Sequence, residues 1–282
     1  MFENFAFPER DKKIVGYHFP CPNASYVMCL VHGIGEHAGR YERLAEALNH
    51  KGIAIISMDL RGHGISPGVR GDTAPRKEVL ADIDALICRA EEFYPGLPVT
   101  LYGHSMGGNI CLDYMGRGNE NDRISKYIIS APWIKLVMQV PALLLPVVRA
   151  ASKIAPKMTI SQHIDEKALG NLKYVRPYTS DPLVHSRISL RCAVDGFDIG
   201  NAIYAGTHPD HGQAHGKPFL LMHGDADKIC SPDGSRHLAE RLSREEKFTY
   251  IEWKGYCHEI HNGGPESTGD EVIETIGNFI TE

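Results

Sequence analysis

The sequence predicts an α/β protein built on a doubly wound, mostly parallel sheet, and three observations lead there. Short apolar runs recur along the 282-residue chain. Amphipathic helical patterns lie between them, as buried parallel strands joined by crossover helices require. One apolar run leads straight into the hexapeptide Gly103-His104-Ser105-Met106-Gly107-Gly108, which a helix-like run follows. Small residues two before and two after Ser105 permit a sharp strand-to-helix turn.

The elements follow in order. Strands are expected at 26–31 (YVMCLV), 53–58 (IAIISM), 98–102 (PVTLY) and 126–130. Helices are expected over Tyr41 to His50 and over Glu78 to Phe93, where Val79, Ile83, Leu86, Ile87 and Ala90 repeat at helical spacing. From about Trp133 to Tyr204 the alternation stops: no clear buried strand appears, and Pro141, Pro146, Pro156, Pro177 and Pro182 break the pattern. A mainly helical insertion over 133–204 accounts for this, set in a core of 1–132 and 205–282. The core resumes with a strand at 218–222, a helix after Pro232 (roughly Gly234 to Arg244), a strand near Phe248 to Trp253 and a terminal helix from Asp270.

Composition narrows the class. A hydrophobic content of 43%, a charged content of 23% and a formal charge of -5 are those of an ordinary globular chain, and no basic cluster points to a nucleic-acid partner. Met1 to Arg10 lacks the basic and apolar regions of a secretory signal, so a cytoplasmic location is expected. Seven cysteines without C-x-x-C spacing fit reduced, mostly buried thiols. Leu136 to Val148 is apolar except for Gln139, yet it falls short of the ~20 residues that span a bilayer and contains two prolines. It reads either as a helix buried against the core or as an apolar rim for a lipid-like substrate.

The chemistry centres on Ser105. A serine hydroxyl is a weak nucleophile at neutral pH, so it needs a base to take its proton and a carboxylate to orient that base. On this topology the order should be Ser, acid, His. Asp225 and Asp227 both follow the strand at 218–222, and loop position favours Asp227. His258 follows the last predicted strand, with His261 three residues on as its competitor. His104 reads as structural, and His63, in R-G-H-G at 61–64, as a turn residue. An oxyanion hole needs two N–H donors, and the amides of Met106 and of Ile34, in H-G-I-G at 32–35, meet that need. No cofactor is required. Thr207 to Gly216 carries His208, Asp210, His211 and His215, but their spacing matches no zinc pattern, so a connecting loop and no metal are expected.

With these residues placed, the chain resembles the monoacylglycerol lipase and lysophospholipase-like branch of the α/β-hydrolases over nearly its whole length. The motifs that carry the resemblance occur in the family's order: HGIGEHAGRY at 32–41, DLRGHGIS at 59–66, GHSMGG at 103–108, SDPLV at 180–184 and HGDADK at 223–228. It implies the triad Ser105, Asp227 and His258, the oxyanion amides of Ile34 and Met106, and a head-group site formed by Glu36, Arg40 and His261. The alternative for Glu36 and Arg40 is a structural ion pair at a helix start. Ile34 is bulkier than the small residue of monoacylglycerol-specific members, and 133–204 corresponds to the family's variable cap. The expected activity is cleavage of a monoacylglycerol or similar single-chain lipid ester through an acyl-enzyme, with peripheral membrane contact through the cap. The alternatives are a lysophospholipase, a short-chain carboxylesterase acting on esters such as plant-derived ones, or a non-catalytic ligand-binding relative. The residues do not fix an oligomeric state.

Overall fold

A computed structural model describes all residues except 1, 8–12, 139, 142, 163, 177, 179 and 209–215. Its eight-stranded sheet comprises β1 (Glu3–Ala6), β2 (Val15–Phe19), β3 (Tyr26–Val31), β4 (Ile53–Met58), β5 (Val99–His104), β6 (Ile124–Ser130), β9 (Phe219–Gly224) and β10 (Phe248–Trp253). The order across the sheet is β1-β2-β4-β3-β5-β6-β9-β10. Strands β4, β3, β5, β6, β9 and β10 pair in parallel, whereas β1 and β2 add antiparallel pairings at one edge. The expected α/β sheet is therefore present, and the N-terminal hairpin extends it. That hairpin escapes sequence reading because β1 is four residues long and largely exposed, so it carries no apolar run.

The uninterrupted apolar strands have a direct cause. Side chains alternate between faces along a strand, and both faces of this sheet are covered. In β3, Val27, Cys29 and Val31 enter one core, while Met28 and Leu30 enter the other. Helix α2 (Arg76–Phe93) fills the first core through Val79, Ile83, Leu86 and Ile87, beside α3 (Met106–Arg117). Helices α1 (Glu42–Asn49) and α7 (Asp270–Thr281) fill the second through Leu44, Leu48, Val272 and Ile276. Ile83 is fully buried, so its truncation to alanine costs about 2–5 kcal/mol.

Between β6 and β9 lie α4 (Leu145–Ile154), a two-stranded antiparallel pair of β7 (Thr159–Ser161) and β8 (Arg187–Ser189), and α5 (Leu190–Ala205). The short pair falls where no strand is expected, and at three residues per strand it is below the length at which periodicity can be read. Ser189 starts α5 by accepting a hydrogen bond from the Cys192 amide, and Gly206 ends it in the left-handed conformation. Helix α6 (Pro232–Leu242) follows β9 and packs on it through Leu238.

One reading of the apolar stretch is corrected. Leu136 to Val148 is not a helix buried against the core: α4 has no buried residue, and Met138, Leu143 and Ile154 are 84%, 90% and 86% exposed. Pro146 sits in the first turn of α4, where its missing N–H costs nothing, so the helix starts at Leu145 and leaves an apolar helix face on the surface.

Candidate active site

Every predicted reactive group sits just beyond the carboxyl end of a parallel strand, where open α/β sheets place their ligand crevice. Ser105 directly follows β5 with φ +56° and ψ -118°, a conformation that a residue with a side chain rarely adopts. The flanking glycines make it achievable. A Cβ on Gly103 would lie 2.5 Å from the Gly107 carbonyl, and one on Gly107 would lie 2.1 Å from the Val31 carbonyl. Only backbone fits where α3 crosses the end of β3. The turn is fixed by the Ser105 amide, which donates to the Ser130 carbonyl at 3.0 Å.

His258 lies on the loop after β10, and its Nε2 is 2.9 Å from Ser105 Oγ, while its Nδ1 is 2.6 Å from Asp227 Oδ2. With Nδ1–H donating to the carboxylate, Nε2 is the acceptor for the serine proton. Asp227 accepts further bonds at Oδ1 from the amides of Ile229 (2.8 Å) and Cys230 (3.0 Å). Burial pushes the Asp227 carboxyl up, but His258 and His223 outweigh it and hold the group well below the usual carboxylate range. Burial pulls His258 down, and the adjacent Asp227 carboxylate more than reverses this, so its pKa is raised. Asp225 is exposed and accepts from the Gly255 amide at 2.6 Å; it braces the loop and does not reach His258.

Around the serine, the Gly33 amide donates to Glu36 Oε1 at 2.6 Å, which shapes the 32–35 loop. Neither the Ile34 amide nor the Met106 amide, at the start of α3, has a backbone hydrogen-bond partner among the described residues. Two free N–H groups flanking a nucleophile suit a developing oxyanion. The Met106 amide also has the favourable end of the helix dipole behind it.

Ser105 opens on a cavity of about 520 Å³ with mainly apolar walls, including Ile34, Leu136, Met138, Leu144, Ile160 and Phe197. Of the three head-group candidates, Glu36 lines this cavity, whereas Arg40 and His261 stand behind the wall. Arg40 lies between two carboxylates, with Nε 3.7 Å from Glu36 and Nη2 3.4 Å from Glu259, and its guanidinium rests 4.5 Å from the Tyr178 ring centroid. His261 stacks on Tyr41, with ring centroids 5.2 Å apart. Burial raises Glu36 to about 7 and Glu259 adds to the rise, against Arg40, the Gly33 amide and Tyr41.

Several members of the site have no individual signal in the sequence. Glu259 and Tyr178 take the cavity-facing places beside Glu36. His223 donates from Nε2 to Asp227 Oδ2 at 3.1 Å, and Ser235 Oγ lies 2.7 Å from its Nδ1. Only His223 falls within a motif that the residues make legible. His104 is buried beside His258, with ring centroids 4.7 Å apart. His63 is more than a turn residue, because its ring sits between those of His32 and His185 at 5.4 and 4.5 Å. In the histidine-rich segment, His208 bonds Asp113 Oδ1 at 2.8 Å, and Asp210, His211 and His215 lie outside the described residues. Among the described residues no three His, Cys, Asp or Glu side chains form a metal-holding group, and all seven cysteines are free.

Known hydrolases resemble this chain in sequence and in fold. The profile of a hydrolase family described as serine aminopeptidase, S33, matches residues 22–264. The chain is 31% identical over 238 residues to a monoacylglycerol lipase of Mycolicibacterium smegmatis, covering 84% of this chain and 82% of that protein. It is 32% identical over 254 residues to an uncharacterized abhydrolase domain-containing protein of Dictyostelium discoideum, matching 90% of this chain but spanning only 26% of that protein's length. A crystal structure of a monoacylglycerol lipase from Paleococcus ferrophilus superposes with a TM-score of 0.81 at 34% identity, covering 95% of this chain and 98% of that one.

Proposed function

The chain belongs to the serine aminopeptidase S33 family of α/β-hydrolases, and we propose that it cleaves the carboxylic ester of monoacylglycerols or similar single-chain lipids through an acyl-enzyme. It is a lipid ester hydrolase by its similarity to monoacylglycerol lipases. The observation that carries the finer reading is the hydrogen-bonded series Ser105, His258, Asp227 opening on an apolar cavity of about 520 Å³. A cavity of that size and character receives an acyl chain, whereas a peptide would leave its amides unpaired against apolar walls.

In this mechanism His258 Nε2 takes the Ser105 proton as Oγ attacks the ester carbonyl. The Ile34 and Met106 amides stabilise the oxyanion, each contributing about 3 kcal/mol. Collapse of the tetrahedral intermediate passes the proton from His258 to the departing alcohol oxygen, leaving Ser105 acylated. Water then enters and attacks the acyl carbonyl as His258 takes its proton; collapse of the second tetrahedral intermediate breaks the bond to Ser105 Oγ, which regains the proton from His258, and the fatty acid leaves. Asp227 stays ionised and holds the imidazole.

Residues 133–204 serve as the cap in this reading, since Leu136, Leu144, Ile160 and Phe197 wall the cavity from that segment. No helix among the described residues is long and apolar enough to cross a membrane. The exposed Met138, Leu143 and Ile154 favour peripheral contact with lipid. Ser105→Ala tests the assignment: hydrolysis of 1-monolauroylglycerol and labelling by a fluorophosphonate probe should both vanish. Retained turnover would refute the nucleophile.

A further inference from the structure

The catalytic cavity opens through the apolar part of the surface. Of the residues that line it, Met138, Leu144, Ile160 and Lys228 are exposed, so the route to Ser105 emerges beside them, whereas the walls at Trp133, Leu169 and Ile188 are buried. Leu143, Val147, Ile154 and Met158 continue the exposed apolar surface away from this mouth. Val147, Ala150 and Ile154 recur at helical spacing, so one exposed face of α4 is apolar. Lys228 is held at the same edge, because its loop is tied to the 135–137 segment: the Val137 amide donates to the Ile229 carbonyl at 3.0 Å, and the Ser231 amide to the Lys135 carbonyl at 2.7 Å.

The charge on this surface has one sign. From 133 to 164 the sequence holds Lys135, Arg149, Lys153 and Lys157 and no aspartate or glutamate, in a chain with 35 acidic against 30 basic residues. Arg149 is paired with Asp198 of α5, and Lys135 lies over the Tyr204 ring, 5.1 Å from its centroid. Lys153, Lys157 and Lys228 are exposed and form no ion pair among the described residues. A surface that serves only solubility mixes both signs and avoids contiguous apolar area. Here apolar side chains surround a cavity mouth and uncompensated lysines accompany them. That combination matches the boundary of an anionic bilayer, where apolar side chains enter the acyl region while lysine stems lie along it and keep their ammonium groups among the head groups. The remainder of the molecule is net negative and is repelled by the same bilayer, so the favoured orientation is the one with the mouth turned towards the lipid.

Resting on the peripheral lipid contact proposed above, we infer that this face docks selectively on bilayers that carry anionic phospholipid, that Lys153, Lys157 and Lys228 recognise the head groups, and that docking aims the cavity at the layer from which the ester is drawn. Each lysine close to such a surface strengthens binding about fivefold, so the three together give roughly a hundredfold preference over a neutral bilayer. The apolar side chains set binding to any lipid surface, and the lysines set which surface is chosen.

The test measures co-flotation of the full chain, and of a Lys153→Gln, Lys157→Gln double variant, with two kinds of vesicle: phosphatidylcholine alone, and phosphatidylcholine with a third of the lipid replaced by phosphatidylglycerol. Wild type is expected to bind the anionic vesicles roughly a hundredfold more tightly, and about 1 M salt, which screens charges beyond about 3 Å, should remove most of that advantage. The double variant should keep only about a fivefold advantage. Its turnover of p-nitrophenyl butyrate should stay within about twofold of wild type, which verifies the fold. Equal binding of wild type to both vesicles overturns the inference without any variant and leaves lipid contact standing. An unchanged advantage in the double variant overturns the role of the two lysines. Binding to neither vesicle refutes the lipid contact and the inference with it, and a dimer in sedimentation velocity that Leu143→Asp disperses would then assign the face to a second copy of the chain.

Discussion

His223 and His258 meet on a single oxygen of Asp227: Oδ2 lies 3.1 Å from one imidazole and 2.6 Å from the other. His223 Nε2 is also 3.2 Å from the Cys230 carbonyl. Since both neighbours only accept, this nitrogen carries the hydrogen. Asp227 therefore divides its basicity between the catalytic base and a second, fully buried ring.

This sharing predicts a pH signature. His223→Phe removes a donor from Asp227, which then pulls harder on the His258 proton, so the acid limb of kcat/KM should move to higher pH. A fall in kcat of about tenfold is expected from the looser carboxylate. His223→Gln, whose amide can still donate, should restore most of both. A merely structural role would lower activity without moving the limb.

The two acids of the 223–228 loop should separate cleanly. Asp227→Asn should lower kcat by roughly 10³–10⁴, because an amide cannot fix the productive tautomer of His258. Asp225→Asn keeps an oxygen that accepts from the Gly255 amide and loses only the charge, so it should stay within about threefold of wild type. Equal losses in initial-rate assays would contradict the assignment.

That pair also shows where sequence reading succeeds and stops. Ser105 and Asp227 are legible because each follows a strongly apolar strand, and His258 because it follows the alternating edge strand β10; strand ends define one crevice. The apolar strands themselves are legible because both sheet faces are covered. Glu259 and Tyr178 are not, since a buried acid between two histidines has the same local pattern as an exposed one. Arg40 and His261 are placed in the correct neighbourhood by resemblance, but only three-dimensional packing shows that Glu259 and Tyr178 stand in front of them. Leu136 to Val148 is ambiguous for a related reason: apolar composition does not say which side faces protein, and here Met138 and Leu143 face solvent.

Acid should unfold the protein through its buried histidines. Burial holds His32 at about 3 and His185 at about 4, and it holds His63, between them, well below its ordinary value of 6.5. These rings are neutral in the fold and protonate in the unfolded chain, so the unfolded state binds more protons below pH 6.5. Their stabilisation is complete above that pH and is lost as pH falls towards 3–4. Between pH 6.5 and about 4.5 the loss should reach at least ~3 kcal/mol, visible as a drop in the thermal midpoint. His185→Gln should make that descent shallower. A midpoint flat over this range would count against the buried neutral cluster.

The exposed apolar face of 137–154 predicts a split between substrate forms. Leu143 and Ile154 are 90% and 86% exposed and do not line the cavity, so they contribute little to binding a dissolved ester. At a lipid surface, each would bury apolar area worth about 1.5–3 kcal/mol. A Leu143→Asp, Ile154→Asp double variant should therefore lose at least about tenfold in vesicle binding, and in rate on long-chain monoacylglycerol above its micellar concentration. Its rate on p-nitrophenyl butyrate should stay within about twofold, because the cavity and the Ser105 site are untouched. Co-flotation with phosphatidylcholine vesicles measures the first effect and initial rates measure the second. Equal losses on both substrates would mean that the substitutions disturb the cavity itself, whereas no loss on either would mean that this face does not meet lipid.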